Sequence, residues 1–435
     1  FQPSKDLTIT PRVVYQKVTA DGFNRQDEYN LYANPYTTTV PPVNFQDRQQ
    51  YLLQREKFED KTTIADVVAK VAFRSFDLTS VTTYTDRSIL VSRDASALTG
   101  SVSVDLAFPT AGVLLPSRLN DTTDFKGFTQ ELRLSSSGAG PLQWLAGAFY
   151  ADTDRKYAQR LPTPGYDAVT DATLGAGTSA SVANGFGPDS PYNADLPYNL
   201  KQTALFGEFS YDLTSQLAGT AGIRWYDYKE ERTFKTGGLF SDTSNQFDKT
   251  KSDGYSPRVL LAYKMAPGVT WNAQASKGFR LGGVNDPLNV PLCTTQDRAI
   301  FGGYQRFSDE SLWNYEVGLK MQQPGLRFNA ALFHTQMKDL QVTLDAGSCS
   351  SRVVFNVPKA HSAGVEMEMT LRPTESLELG LYGSAINSVF DSTVVVLAPS
   401  GRCRNAHHAP AVSASAMSSP PCSRPPASAS RSSSA

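Results

Sequence analysis

The residue pairs of this chain that could do chemistry are few and do not converge. Glu366 and Glu368 stand two residues apart, as the paired carboxylates of a general acid and base can. On a strand exposed to water they are solvated or paired with cations instead. The four histidines have no spacing typical of a metal site, and no arrangement of Ser, His and Asp indicates a nucleophile. The sequence therefore predicts no enzyme, no metal site and no cofactor.

Two groups of loop residues could bind a ligand or form a cross-link. Arg298, Tyr304 and Arg306 are candidates for contact with an anionic ligand, against the alternative that they are ordinary solvated residues. Cys293 and Cys349 lie in two neighbouring predicted loops. A disulfide between them and two free thiols are both open, and a protein of the cell envelope can hold such a bridge.

These residues sit on or between segments of alternating polarity. Four such runs begin near Asn314, Leu326, Val365 and Leu377. Side chains of a strand point alternately to its two faces, so this period of two predicts β-strands with one apolar and one charged face. The predicted apolar face includes Leu377, Leu379 and Leu381, and the predicted charged face includes Glu316, Glu366 and Glu368.

The connections between the strands alternate strictly between short and long. One predicted strand spans Leu142–Asp152, and one predicted loop is charged and includes Lys229–Arg232. Short turns such as Pro324–Gly325 alternate with long polar loops from Asp6 to Phe390. About 13 strands follow this rule, which predicts an all-β fold, a transmembrane antiparallel β-barrel with long extracellular loops and short periplasmic turns. The alternative is a soluble or cell-surface β-rich module for binding or adhesion, which gives no reason for the alternation.

The composition of the 435 residues fits this interpretation. The formal net charge of -1 gives no argument for a nucleic-acid partner. Mean hydropathy is -0.33, and no apolar run approaches the ~20 residues of a membrane helix. A barrel needs neither a high mean hydropathy nor a long apolar run, because only alternate residues of each strand face lipid. Aromatic residues make up 11%, which suits aromatic belts at the two membrane surfaces.

The strand pattern ends near Phe390. We therefore predict two regions, a barrel segment over residues 1–397 and a disordered tail over residues 398–435. The tail consists largely of Ser, Pro, Ala and Arg and cannot bury a core. A shift of reading frame near Ala398 and a natural low-complexity tail are the two explanations.

Several stretches resemble the barrel of TonB-dependent outer-membrane receptors of the iron-complex type. Two hairpins carry part of the resemblance, and single motifs in the second half of the chain carry the rest. They are Phe128–Leu134 with Gln143–Tyr150, Ala204–Phe209 with Ala221–Trp225, Tyr255–Val259, Ser276–Arg280, Gly282–Asn285, Leu312–Lys320, Ala331–Phe333, Lys338–Gln341 and Gly364–Glu368.

The resemblance implies an outer-membrane location in a Gram-negative bacterium and active uptake of a scarce nutrient, typically a ferric siderophore. The implied partners are TonB, which acts through a plug domain, the nutrient itself and membrane lipid. The resemblance also adds one residue to the charged face. Its inward polar residues would be Arg224, Glu316, Glu366 and Glu368, which would then face the plug or a water-filled interior.

The family's plug and closing strands are not recognisable in this sequence. The resemblance therefore implies part of a barrel of about 22 strands, with open edges at residues 6–17 and 377–390. It also implies that this segment alone does not transport.

Overall fold

The computed structural model describes residues 1–23, 45–50, 52–349 and 351–392, together with the backbone of 396–397 and 403–404. A 14-stranded antiparallel sheet dominates, as predicted. Its strands are β1 Leu7–Ala20, β2 Lys57–Ala72, β3 Phe76–Asp94, β4 Arg118–Ser136, β5 Leu142–Arg160, β6 Asn193–Asp195, β7 Tyr198–Asp212, β8 Leu217–Gly237, β9 Asn245–Ala266, β10 Val269–Arg280, β13 Glu310–Gln323, β14 Leu326–Asp345, β15 Arg352–Thr374 and β16 Leu377–Phe390.

Smaller elements lie in the connections. Two further pairs of short strands are β11 Gly283–Val284 with β12 Arg306–Phe307, and β17 Val396–Leu397 with β18 Cys403–Arg404. The helices are α1 Ser96–Asp105, α2 Thr110–Val113, α3 Tyr166–Leu174, α4 Thr178–Val182 and α5 Thr295–Phe301, and there are 3₁₀ turns at Val290–Leu292 and Gly347–Cys349.

The strands of the main sheet follow one another in sequence order. Only β6 departs from this order, because it is inserted between the outer parts of β5 and β8 while β7 pairs with both. β1 and β16 are the two ends of the sheet, and they do not pair with each other in the part of the chain that the structure describes.

Tight turns join the strands at one end of the sheet. Pro267–Gly268 joins β9 to β10, and Pro324–Gly325 joins β13 to β14. Proline presets the φ of the first turn residue, and each glycine has a φ of +74°, which side chains disfavour. We call this end of the sheet the turn end and the opposite end the loop end.

One face of the sheet carries a band of exposed apolar side chains between two rows of aromatic rings. Near the turn end, Trp144 lies opposite Phe209 and Tyr263 lies opposite Trp271. Nearer the loop end, Trp225 lies opposite Tyr255. Tyr255 and Tyr263 are about 26 Å apart along β9 at about 3.3 Å per residue. This separation is of the order of the ~25 Å apolar band of a membrane barrel.

The strands continue well beyond this band at the loop end. β8 and β9 contain 21 and 22 residues, whereas about 9–11 residues cross a membrane. Lys229–Arg232, which we expected in a charged loop, lies within β8 and pairs with β9. The sequence predicted the end of this strand too early. Both faces of the outer part of the strand are polar, so the alternation of apolar and polar residues disappears there.

The long connections fold into a hydrophobic cluster of their own, which we call the loop core. Its buried residues come from the connections after β3, β5 and β8, and they are Ala95, Phe108, Leu161, Tyr166 and Phe240. Leu292 of the connection after β10 packs against them. The loop end therefore carries an ordered layer.

The predicted disordered tail, 398–435, lies outside the described residues except for the backbone of 403–404. Among the residues that the structure describes, no helix is long and apolar enough to span a membrane.

Candidate ligand-binding face

The four residues predicted for the charged face lie on one face of the sheet, opposite the apolar band. The cross-strand register connects Arg224 on β8 to Glu316 on β13 and then to Glu366 and Glu368 on β15. We call this the polar face. Three of the four line an open depression, whose polar lining is Arg258, Asn272, Gln274, Glu316, Lys320, Asn329, Glu366 and Glu368.

Arg224 lies apart from that depression and contacts aromatic rings. Its guanidinium carbon is 5.4 Å from the ring centroid of Phe149 and 5.6 Å from that of Phe206. Glu316, Glu366 and Glu368 therefore share a site that Arg224 does not reach.

A row of arginines and aromatic rings crosses the polar face at the loop end. Arg155 on β5 lies opposite Tyr198 on β7, which lies opposite Arg232 on β8. The Arg155 guanidinium is 4.9 Å from the ring centroid of Tyr157 and 5.7 Å from that of Tyr198. Arg232 is 4.9 Å from the ring of Phe234 and 5.9 Å from that of Tyr198. We call these five residues the arginine–tyrosine row.

Acidic neighbours hold part of this row in place. The Tyr157 hydroxyl donates to Asp121 at 3.2 Å, and Asp121 also forms an ion pair with Arg93. Burial raises the pKa of Tyr157, and the Asp121 carboxylate raises it further, so the phenol stays neutral. Arg232 contacts the Asp286 carboxylate at 3.3 Å.

Arg155 differs from its neighbours, because it forms no ion pair within 4.0 Å in the described ranges, although its charge acts on the nearby Asp286 carboxylate. It is a partly exposed cation between two tyrosine rings. A planar guanidinium of this kind can bind a carboxylate or another flat anion in bidentate fashion while stacking on the rings.

The three predicted ligand-binding loop residues do not converge on one pocket. Arg298 is exposed on α5, and Arg306 forms an ion pair with Asp248 on β9. Tyr304 packs against a hydrophobic cluster, with its ring 5.9 Å from that of Phe355. Tyr304 and Arg306 thus each make a contact within the fold, whereas Arg298 is exposed.

Cys293 and Cys349 lie side by side in the same hydrophobic cluster. Their Cα atoms are 4.1 Å apart, and their sulfur atoms are within bonding distance. Hydrogen bonds from Ser348 to the Asp297 carboxylate, at 2.7 and 2.9 Å, join the same two connections. The two loops therefore form one unit. Within the described ranges, no group of three His, Cys, Asp or Glu side chains could hold a metal ion.

The arginine–tyrosine row was not predicted from the sequence. Arg155 and Tyr157 fall where β5 was expected to have ended, and Arg232 falls in the expected charged loop. Their signal is the spacing of two in Arg155–Tyr157 and Arg232–Phe234, which continues the polar side of each strand.

Comparison with known proteins defines the class of this fold. The profile of the family described as "TonB dependent receptor-like, beta-barrel" matches residues 3–400. The pesticin receptor of Yersinia enterocolitica is 23% identical over 204 residues, which cover 47% of this chain and 28% of the relative.

Two solved structures share the fold. The ferric yersiniabactin uptake receptor FyuA from Yersinia pestis has a TM-score of 0.62 at 15% identity, covering 89% of this chain and 50% of the other. The siderophore receptor PiuA from Acinetobacter baumannii has a TM-score of 0.60 at 14% identity, covering 92% and 56%. The chain thus spans about half the length of these solved relatives.

The chain belongs to the TonB-dependent receptor family, and its sheet is that family's outer-membrane β-barrel. It is a protein of the Gram-negative outer membrane. At the family level it is a receptor rather than an enzyme, and this membership favours the receptor over the soluble adhesion module.

Proposed function

We propose that this chain forms the barrel wall of a receptor that takes up a ferric siderophore by active transport, with energy supplied through TonB. The observation that carries the proposal is Arg155, a cation without an ion pair in the described ranges, held between Tyr157 and Tyr198 on the polar face at the loop end. The printed descriptions of FyuA and PiuA, which concern a ferric complex and a siderophore, support the same substrate class.

The chemistry of the arginine–tyrosine row suits such a ligand. Ferric complexes of small chelators present anionic oxygen atoms beside flat organic groups. Arg155 supplies the charge, and the two tyrosine rings supply flat apolar surface. The polar face would line the barrel interior, with Glu316, Glu366 and Glu368 deeper in the barrel, nearer the turn end.

The test uses the full-length receptor in a strain that lacks its own receptor for the complex. Uptake of a panel of radioactive ferric siderophores is measured with and without TonB. We expect TonB-dependent uptake of at least one complex, and Arg155→Ala should weaken its binding about tenfold, which corresponds to about 1.4 kcal/mol.

Arg133→Ala is the matched control, because Arg133 lies on the same face at the turn end and pairs with Glu131. It should leave binding unchanged. Uptake that persists without TonB, or equal binding by both variants, would contradict the proposal.

A further inference from the structure

A row of lysines lies between the loop-end aromatic row and the loops, on the same face of the sheet as the apolar band. We call this face the outward side. Most of them have an acidic partner. Lys249 is 2.7 Å from Glu231, Lys229 is 3.6 Å from Asp227, and Lys201 is 3.8 Å from Asp152. Lys229 lies directly opposite both Lys201 and Lys251, and Asp227 is shared by Lys229 and Lys251, which is 3.4 Å from it. Each of these lysines therefore has a carboxylate within 4.0 Å that offsets the repulsion between like charges.

Across β10 to β15, most of the outward lysines lack such a carboxylate. Lys277 lies opposite Trp313, and Lys338 on β14 lies directly opposite Lys359 on β15. Like charges placed directly opposite on neighbouring strands destabilise a sheet unless something neutralises them. Lys277 and Lys359 have no ion pair in the part of the chain that the structure describes, and Lys338 reaches only Asp339, at 4.0 Å. We call these three residues the lysine patch.

Other ionisable groups near the patch do not remove the excess of cations. Asp391 is hydrogen-bonded to His361 at 2.8 Å, and the ring of His334 is 5.7 Å from that of His361. Two carboxylates, of Asp339 and Asp391, thus face three lysines and two imidazoles. Lys338 is 75% exposed, so its ammonium group is accessible.

The position of the patch indicates which anion it meets. Trp313 and Tyr315 stack beneath it with ring centroids 6.2 Å apart, and Val317 and Leu332 continue the apolar band towards the turn end. Tryptophan and tyrosine rings mark the headgroup level of a membrane. Lysine stems can lie along the apolar surface and carry the ammonium group to that level. The patch is therefore at the height of the lipid headgroups.

We propose that Lys277, Lys338 and Lys359 bind the phosphates of the outer-leaflet glycolipid, a lipopolysaccharide, and so hold a lipid molecule against β10 and β13–β15. The ligand's negative charge relieves the repulsion between Lys338 and Lys359. This site is on the opposite face from the arginine–tyrosine row, so it is independent of the proposed transport function.

The experiment measures lipopolysaccharide binding to the purified full-length receptor in detergent. The triple variant Lys277→Gln, Lys338→Gln and Lys359→Gln is compared with a control triple, Lys201→Gln, Lys229→Gln and Lys249→Gln. Each lysine of the control triple lies within 4.0 Å of a carboxylate. We expect at least a tenfold loss of affinity and less co-purified lipid phosphate in the patch variant only. Dephosphorylated lipopolysaccharide should bind the unaltered receptor as weakly as intact lipid binds the patch variant.

Several outcomes would overturn the proposal. They are equal lipid binding by the two triple variants, equal binding of dephosphorylated lipid, and displacement of the lipid by millimolar inorganic phosphate, which would indicate a site for the free anion. A change in oligomeric state in the patch variant without loss of lipid would assign the surface to contact between receptors. Unchanged resistance to heat unfolding shows that each variant is folded.

Discussion

Tyr166 is buried at the centre of the loop core. Its ring is 5.5 Å from Phe108 and 5.6 Å from Phe240, and its hydroxyl is 2.9 Å from that of Ser103. Burial raises its pKa from 10.0 to about 12. Between these two values the unfolded loop loses the phenolic proton while the packed loop keeps it, so the stability of the loop core falls as pH rises.

We expect the loop core to loosen between pH 10 and about 12, because ionised Tyr166 cannot stay buried. Hydrogen exchange of α3 measures this, with exchange rates corrected for the intrinsic effect of pH. Tyr166→Phe keeps the ring, loses about 1 kcal/mol of hydrogen bonding and should remove this pH dependence. The same pH dependence in Tyr166→Phe would assign the transition to another group.

Leu332 tests which face of the sheet meets lipid. It lies opposite Val317 within the apolar band and is 62% exposed. Leu332→Arg should destabilise the full-length receptor in a bilayer by ~1–3 kcal/mol, because Leu332 lies two residues inside the aromatic row of Trp313 and Tyr315, between the interface and the midplane. Reversible unfolding in urea measures the change.

The neighbouring residue provides the control for Leu332. Ala331→Arg places the same charge on the polar face and should change stability little. Leu379→Arg should cost about 1 kcal/mol or less, because Leu379 is near the turn end rather than the midplane. Equal costs at 331 and 332 would mean that the faces are assigned the wrong way round.

At the scale of elements, the sequence predicted the turn-end halves of the strands and missed the loop-end halves. Near the turns, one face is apolar and the other polar, so Val317 and Glu316 show the period of two clearly. At the loop end both faces are polar, as in Lys229–Arg232 of β8, and pairing with β9 decides the structure instead. The short helices α1–α5 have no long amphipathic pattern that could have revealed them.

The candidate site, too, could be predicted from the sequence only in part. Arg224, Glu316, Glu366 and Glu368 could be placed on one face, because their strands have a clear period. The arginine–tyrosine row depends on which strands are neighbours, since Arg155 and Tyr198 meet only through pairing of β5 with β7. A single sequence does not contain that register.

We propose that a disulfide joins the connection after β10 to the connection after β14. Peptide mapping without reduction should recover Cys293 linked to Cys349. In the double variant Cys293→Ser and Cys349→Ser, we expect faster hydrogen exchange in α5, because hydrogen bonds such as those between Asp297 and Ser348 then join the two loops without a covalent link.

Exchange in α3, which packs in the loop core, should stay unchanged and serves as the internal control. Alkylation of both cysteines before any reducing agent is added would show that they are free thiols and that the native receptor has no such disulfide.

At the scale of the whole molecule, the loop end faces outward and the turn end faces the periplasm. Ala172, in α3, and Ser215, in the turn between β7 and β8, are both exposed. On intact cells, a polyethylene-glycol maleimide too large for porins should label Ala172→Cys. It should label Ser215→Cys only after the outer membrane is permeabilised.

The unaltered receptor gives the background labelling from its own cysteines. Labelling of Ser215→Cys on intact cells, with Ala172→Cys protected, would reverse the orientation of the barrel.

The loop core has a consequence for how such a receptor can diversify. Phe108, Tyr166 and Phe240 come from three separate connections, yet each packs against another of the three. A substitution in one connection therefore alters how the side chains of the other two pack. The three connections must then change together in evolution rather than one by one. We expect variation that helps a cell escape antibodies or phages to concentrate on the exposed rim, such as residues 172–177. The same packing that orders the loops should therefore slow their evolution.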